Sequence, residues 1–192
     1  LNAGLFNAIG LHYDTGRKRP NQSFRESREQ GKATCTGLSI VLVQACRAVG
    51  IPARAAGTPL WSNGRGNHTW VEIWDGDWHF TGADEYDPAG LDRGWFVADA
   101  AAALPERPEH RIYASAWRRR GLHFPLAWDP RSEAVAAVDV TARYARPAAP
   151  RAGIELGLRA RAAGQRIEAE VVVLAVDGAE LGRGRTRAGR SD

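Results

Sequence analysis

The chain has 192 residues, 25% of them charged and 44% hydrophobic, which gives room for one full domain and a small second one. Its two cysteines exclude a disulfide framework and a Cys-clustered zinc finger, and no stretch approaches the roughly 18 apolar residues of a membrane span. The net charge of +4 rests on 26 Lys and Arg, only Lys18 and Lys32 being lysine; the arginines are scattered, the Arg118-Arg119-Arg120 run reads as a solvated face, and nucleic acid is not an expected partner. Because the sequence opens at Leu1 and holds no methionine, it is read as a fragment or processed form, and its cellular location stays open.

In chain order, a short amphipathic start (Leu5, Phe6, Ile9) leads into a polar segment, Thr15 to Arg28. Residues 36–49 are predicted as a helix, because Leu38, Val41, Leu42, Ala45, Cys46 and Val49 keep the three-and-four spacing of one buried face. Gly50 and Pro52 stop it. A short strand is expected over Ala53 to Ala56, then a loop from Thr58 to Asn67. Trp70 to Trp74 alternates, Asp75-Gly76 turns the chain, and Trp78 to Ala83 returns it as an antiparallel hairpin. One or two short helices are expected within 98–120, broken by Pro105 and Pro108. After Pro147 and Pro150 the pattern shifts to alternation over Ile154, Leu156 and Leu158, then Val171 to Leu174, with Asp177-Gly178 as a turn. The expected division is therefore a domain over 1–145 and a truncated β-rich one over 151–192.

Cys35 stands immediately before the apolar helix. Unpaired N–H groups and the positive end of the helix dipole favour thiolate there, and the same N–H groups can hold an oxyanion. Thr34 or Thr36 is the expected cap. An isolated cysteine more often merely packs, and Cys46 fits that description among Val43, Ala45 and Val49. Eleven residues along one helix separate the two sulfurs by about 16 Å, so they do not pair.

Of five histidines, His68 alone sits where a loop enters an alternating strand, held by the strand yet open to a cleft. His12, His79, His110 and His123 read as surface or packing residues. A catalytic histidine needs a carboxylate on its other ring nitrogen. A two-residue turn at Asp75-Gly76 brings Glu85 opposite or diagonal to His68, whereas a three-residue loop over Asp75 to Asp77 sets Asp84 opposite. Asp-Gly favours the shorter turn, and both carboxylates stay candidates.

The run Ala45-Cys46-Arg47-Ala48-Val49-Gly50-Ile51-Pro52-Ala53-Arg54, preceded by Cys35 and followed by Asn67-His68-Thr69-Trp70-Val71-Glu72-Ile73-Trp74, resembles the transglutaminase-like superfamily over roughly residues 20–100. The stretches Ile112 to Trp117 and His123 to Trp128 resemble the continuation in a bacterial subgroup, where a β-rich domain comes next. The resemblance implies an α+β, papain-like core, with the cysteine-bearing helix packed on an antiparallel sheet, followed by a partial β-sandwich-like domain. It carries the nucleophile to Cys35 and the base to His68. In the superfamily a Trp is usually followed four residues later by Asp-Pro, but Trp78 is followed there by Gly82, and Gly82-Ala83-Asp84-Glu85 resembles the subgroup's Gly-Ala-x-Glu. Gln22 is implied as an oxyanion donor, with Gln30 as the alternative.

The chemistry implied by this resemblance is cysteine-dependent acyl transfer on protein or peptide amides through a thioester, hydrolytic or, with an amine acceptor, cross-linking. Such transfer requires no metal and no cofactor. Trp61, Trp70 and Trp74 are candidates to wall the cleft, against the alternative of core packing. The competing reading is a catalytically silent module of the same fold serving binding or assembly. The resemblance favours a secreted or periplasmic protein.

Overall fold

A computed structural model describes residues 1–20, 22–119, 121–146, 167–174 and 178–186. The chain divides into two units, Leu1–Ala148 and Ala149–Asp192. The first opens with helix α1 (Leu5–Ile9), closed by Gly10 in the left-handed region, and a short strand β1 (His12–Tyr13). Helix α2 (Phe24–Gln30) comes next, its start fixed by a capping box between Ser23 and Glu26. Strand β2 (Lys32–Ala33) pairs in parallel with β1 and leads into helix α3 (Cys35–Ala48).

The predicted helix is α3, begun one residue earlier. Leu38, Val41, Leu42 and Cys46 are buried as the spacing requires, while Val49 is exposed because it caps the helix end rather than continuing its face. Strand β3 (Ala53–Thr58) runs two residues beyond expectation, and β4 (His68–Trp74) and β5 (Trp78–Thr81) form the anticipated hairpin. The segment expected to be helical holds α4 (Val97–Ala101) and a 3-10 turn at Pro108–His110, but also strand β6 (Tyr113–Ser115). Strand β7 (Ala137–Asp139) and helix α5 (Thr141–Tyr144) complete the unit.

These strands make a five-stranded antiparallel sheet in the order β5-β4-β3-β6-β7, with α3 on one face. Alternation along β4 divides its side chains between two cores. Val71 joins Leu38, Leu42, Cys46 and Ala53 beneath α3, whereas Trp70 joins Trp61, Phe96 and Ile112 on the other side. Each buried Leu of α3 contributes about 1.5–3 kcal/mol to that packing. The expected α+β architecture, with the cysteine-bearing helix on an antiparallel sheet, is therefore what forms.

The signature around the helix end has a structural reason. Arg54 and Glu72 are direct cross-strand partners, and Arg54 Nε donates to Glu72 Oε2 at 2.6 Å while the carboxylate is 1% exposed. Tyr144 donates its hydroxyl to Glu72 Oε1 at 2.7 Å, and Trp70 Nε1 donates to Tyr144 at 2.9 Å. A buried carboxylate is tolerated only when its oxygens are paired in this way.

In the second unit, β8 (Glu170–Leu174) and β9 (Glu180–Arg185) form an antiparallel pair, with Gly178 in the left-handed region between them. The alternation expected over Ile154, Leu156 and Leu158, and Asp177 of the expected turn, lie outside the described residues.

Candidate active site

Cys35 is the first residue of α3 and is half-buried. Thr34 precedes it in an extended conformation and makes no side-chain cap, so the expected threonine cap does not form. Thr36 turns inward instead, its hydroxyl 2.9 Å from that of Thr69. Ser39 adds a second tie, its hydroxyl donating to the Thr69 carbonyl at 3.2 Å. The helix start is thus fastened to β4 at the residue next to His68.

His68 opens β4 and is 5% exposed. Its ring lies against Trp95 (4.7 Å between centroids), Phe96 (4.9 Å), Trp70 (5.7 Å) and Trp61 (6.1 Å). This aromatic enclosure disfavours the imidazolium and pushes the pKa down to about 4. Nε2 is buried and has no hydrogen-bond partner among the described residues. Gly57 makes the approach of β3 possible here, since a Cβ on it would lie 2.6 Å from the His68 carbonyl oxygen.

Side-chain direction separates the two candidate carboxylates. Trp74 pairs with Trp78, so the hairpin loop has three residues, Asp75 to Asp77, and the expectation of a two-residue turn is corrected. Continued along the strands, that register sets Asp84 opposite His68. However, β5 ends at Thr81, and Asp84 adopts a left-handed φ of 64° that sends its carboxylate to His12 Nδ1, 3.0 Å away. Glu85 instead lines one cleft of about 450 Å³ together with Cys35 and His68. Its carboxylate folds back over Gly82, where a Cβ would collide with Oε2. Glu85 is exposed as a residue, but partial desolvation of its carboxylate raises its pKa, a hydrogen bond from the Trp95 indole counteracts, and the Asp84 charge adds to the rise. Among the described residues no hydrogen bond joins His68 to either carboxylate.

Two further expectations need correction. The Gln22 amide commits its donors to Ser27 Oγ and the Lys32 carbonyl, which leaves none for an oxyanion; its neighbour Gln30 donates to Gln22 and to the Glu26 carbonyl. Trp70 is fully buried, stacked between Trp61 and Phe96, so it is a core residue and no cleft wall. Trp61 does line the cleft, and Trp74 stands exposed against Trp78 at the far end of β4.

Sequence reasoning did not find Tyr13, Arg65 and Trp95, which also line the cleft. Tyr13 arrives through the parallel pairing of β1 with β2, and Arg65 is held by Asp99. Of the other histidines, His79 pairs with Asp92 at 2.6 Å and His110 with the Leu60 carbonyl at 3.1 Å. Cys46 is buried, and burial pushes its thiol pKa up. Among the described residues no group of three or more His, Cys, Asp or Glu is placed to hold a metal ion, and no helix is long and apolar enough to cross a membrane.

A cysteine-bearing helix start and a strand-borne histidine on one cleft, on this sheet, are joined by a direct finding: the family model of the transglutaminase-like superfamily matches residues 5–100. The chain belongs to that superfamily. The match spans the whole cleft, from Tyr13 through Cys35 and His68 to Glu85 and Trp95. No curated protein and no solved structure matches the chain. Membership supports cysteine-dependent acyl transfer as the general chemistry of the fold.

Proposed function

We propose that this transglutaminase-like chain is a hydrolase acting on protein or peptide amides through a thioester, with residues 1–145 as the catalytic domain and 151–192 as a separate β-rich one. The observation that carries the reading is the meeting of Cys35, His68 and Glu85 on one cleft. The Glu85 carboxylate also occupies the space that a side chain on residue 82 would need, the position at which the superfamily's aspartate is expected.

In this mechanism the neutral His68 imidazole takes the Cys35 thiol proton as sulfur attacks the amide carbonyl. The N–H groups of the first turn of α3 hold the oxyanion. His68 then gives its proton to the leaving amine as the C–N bond breaks, and a thioester remains on Cys35. Water attacks that thioester, with His68 accepting its proton, and the free acid leaves as the thiol is restored. Glu85 orients the imidazole once substrate fills the cleft.

Enclosure of His68 by Trp61, Trp95 and Phe96 favours hydrolysis of a narrow, extended segment over attack by a second bulky chain. A silent binding module is the second reading, favoured by the missing carboxylate bond to His68. Labelling with a thiol-reactive acyl probe distinguishes them. Cys35→Ala abolishes labelling and Cys46→Ala spares it; equal labelling of both variants removes the enzyme assignment. Added primary amine leaves release of free acid dominant, and predominant amide formation would assign cross-linking instead.

A further inference from the structure

Far from Cys35, at the other end of α3, a second cleft of about 730 Å³ is lined by Arg47, Arg54, Trp78, Ser115, Trp117 and Arg118, among other residues. Trp117 is 86% exposed, more than any other large hydrophobic side chain described, and the Arg47 guanidinium lies 4.5 Å from its ring centroid. The Arg54 guanidinium covers Trp78 in the same way at 3.8 Å. Arg54 is neutralised by Glu72, but Arg47 donates only to the Ala53 carbonyl, and Arg118 makes no ion pair among the described residues. Among the described residues no Asp or Glu lines this cleft. Two uncompensated cations therefore flank an exposed indole.

The cleft shares Arg47 and Ser115 with an apolar groove of about 440 Å³ along the outer face of α3, which includes Ile40, Phe124 and Leu126. We propose that the two together form a binding site for an acidic polypeptide segment, with carboxylates on Arg47 and Arg118 and apolar side chains against Trp117 and the Ile40 groove. A charged carboxylate satisfies guanidinium donors, and the indole covers the neighbouring aliphatic surface. The charge pattern favours a peptide over a nucleic-acid strand. A phosphate backbone asks for a track of cations, whereas among the described residues lining this cleft two are free, and the adjoining groove is largely apolar.

The site is tested by fluorescence anisotropy on the full chain carrying Cys35→Ala, so that no turnover intrudes. The readout is binding alone and stands whether or not Cys35 is a nucleophile. The probes are a short labelled peptide of alternating Leu and Glu, its twin with Gln for Glu, and a labelled single-stranded oligonucleotide. The Glu peptide binds more tightly than the Gln twin and weakens as salt rises. Trp117→Ala and Arg118→Gln each weaken it by about fivefold or more, in line with an indole and a guanidinium acting on a desolvated partner. Trp117 and Arg118 are surface side chains, and unchanged circular dichroism verifies that both variants fold. No binding of the Glu peptide, equal binding of the twins, or insensitivity to both substitutions overturns the proposal. Tighter binding of the oligonucleotide through the same two residues also overturns it and assigns the cleft to nucleic acid.

Discussion

Thr36 and Thr69 share a buried hydroxyl–hydroxyl hydrogen bond of 2.9 Å, and each directly follows one of the two residues the proposed chemistry needs. The bond crosses from α3 to β4, so it sets the helix start that presents Cys35 against the strand that presents His68. Thr69→Val leaves the Thr36 hydroxyl buried without a partner, which costs about 1–3 kcal/mol. The double variant Thr36→Val/Thr69→Val recovers most of that stability, because both polar groups are removed together. Urea unfolding of the two single variants and the double one reads the coupling. Strictly additive losses would show that the two hydroxyls do not interact.

His68 gives stability a pH dependence of defined sign. Its folded pKa of about 4 lies below the ordinary value of 6.5, so the unfolded chain binds more protons between those limits. The contribution is fully present above pH 6.5 and is lost as pH falls towards 4, on the order of 3 kcal/mol over the window. In His68→Gln this part of the slope disappears. Parallel stability curves for the variant and the parent would show that burial does not depress His68.

The same depression places the acid limb of kcat/KM well below the pH at which an ordinary histidine protonates, because the neutral base persists to lower pH. A pH–rate profile on an ester donor measures it. An acid limb near pH 6.5 would mean that His68 is solvated in the working enzyme.

Glu85 and Asp84 are separated by kinetics. Glu85→Gln lowers kcat by roughly 10²-fold or more, as loss of an orienting carboxylate does. Asp84→Asn leaves kcat near the parent value and changes stability by less than about 1 kcal/mol, since its pair with His12 is exposed. The reverse ranking would return the third position to Asp84.

Arg54→Ala removes the closest cation from the buried Glu72 carboxylate and costs about 3–5 kcal/mol in chemical unfolding. A loss below about 1 kcal/mol would mean that Tyr144 and Arg143 suffice to hold Glu72.

Much of this architecture is legible in the sequence where periodicity is long enough to speak. Fourteen residues of α3 and the seven of β4 carry it, and Asp75-Gly76 marks where the chain turns between β4 and β5, though not the length of the loop. Strands β6 and β7 have three residues each, too few to show alternation. Asp-Gly misleads on loop length, because it also fits a three-residue loop with Gly76 in the left-handed region. Register then favours Asp84, and only its positive φ and the His12 pair explain why Glu85 reaches the cleft instead. Trp61 and Trp70 look alike in sequence, and their different surroundings depend on Phe96 and Tyr144, which pack on Trp70 from distant segments.

A covalent acyl group on Cys35 is the species on which the proposed chemistry depends. Wild-type protein is mixed with a peptide ester donor, quenched in acid, and followed by intact mass and peptide mapping. The expected product is a hydroxylamine-labile thioester on the peptide containing Cys35, absent after Cys35→Ala along with all turnover. Acylation of Cys46, or turnover that survives Cys35→Ala, would contradict it.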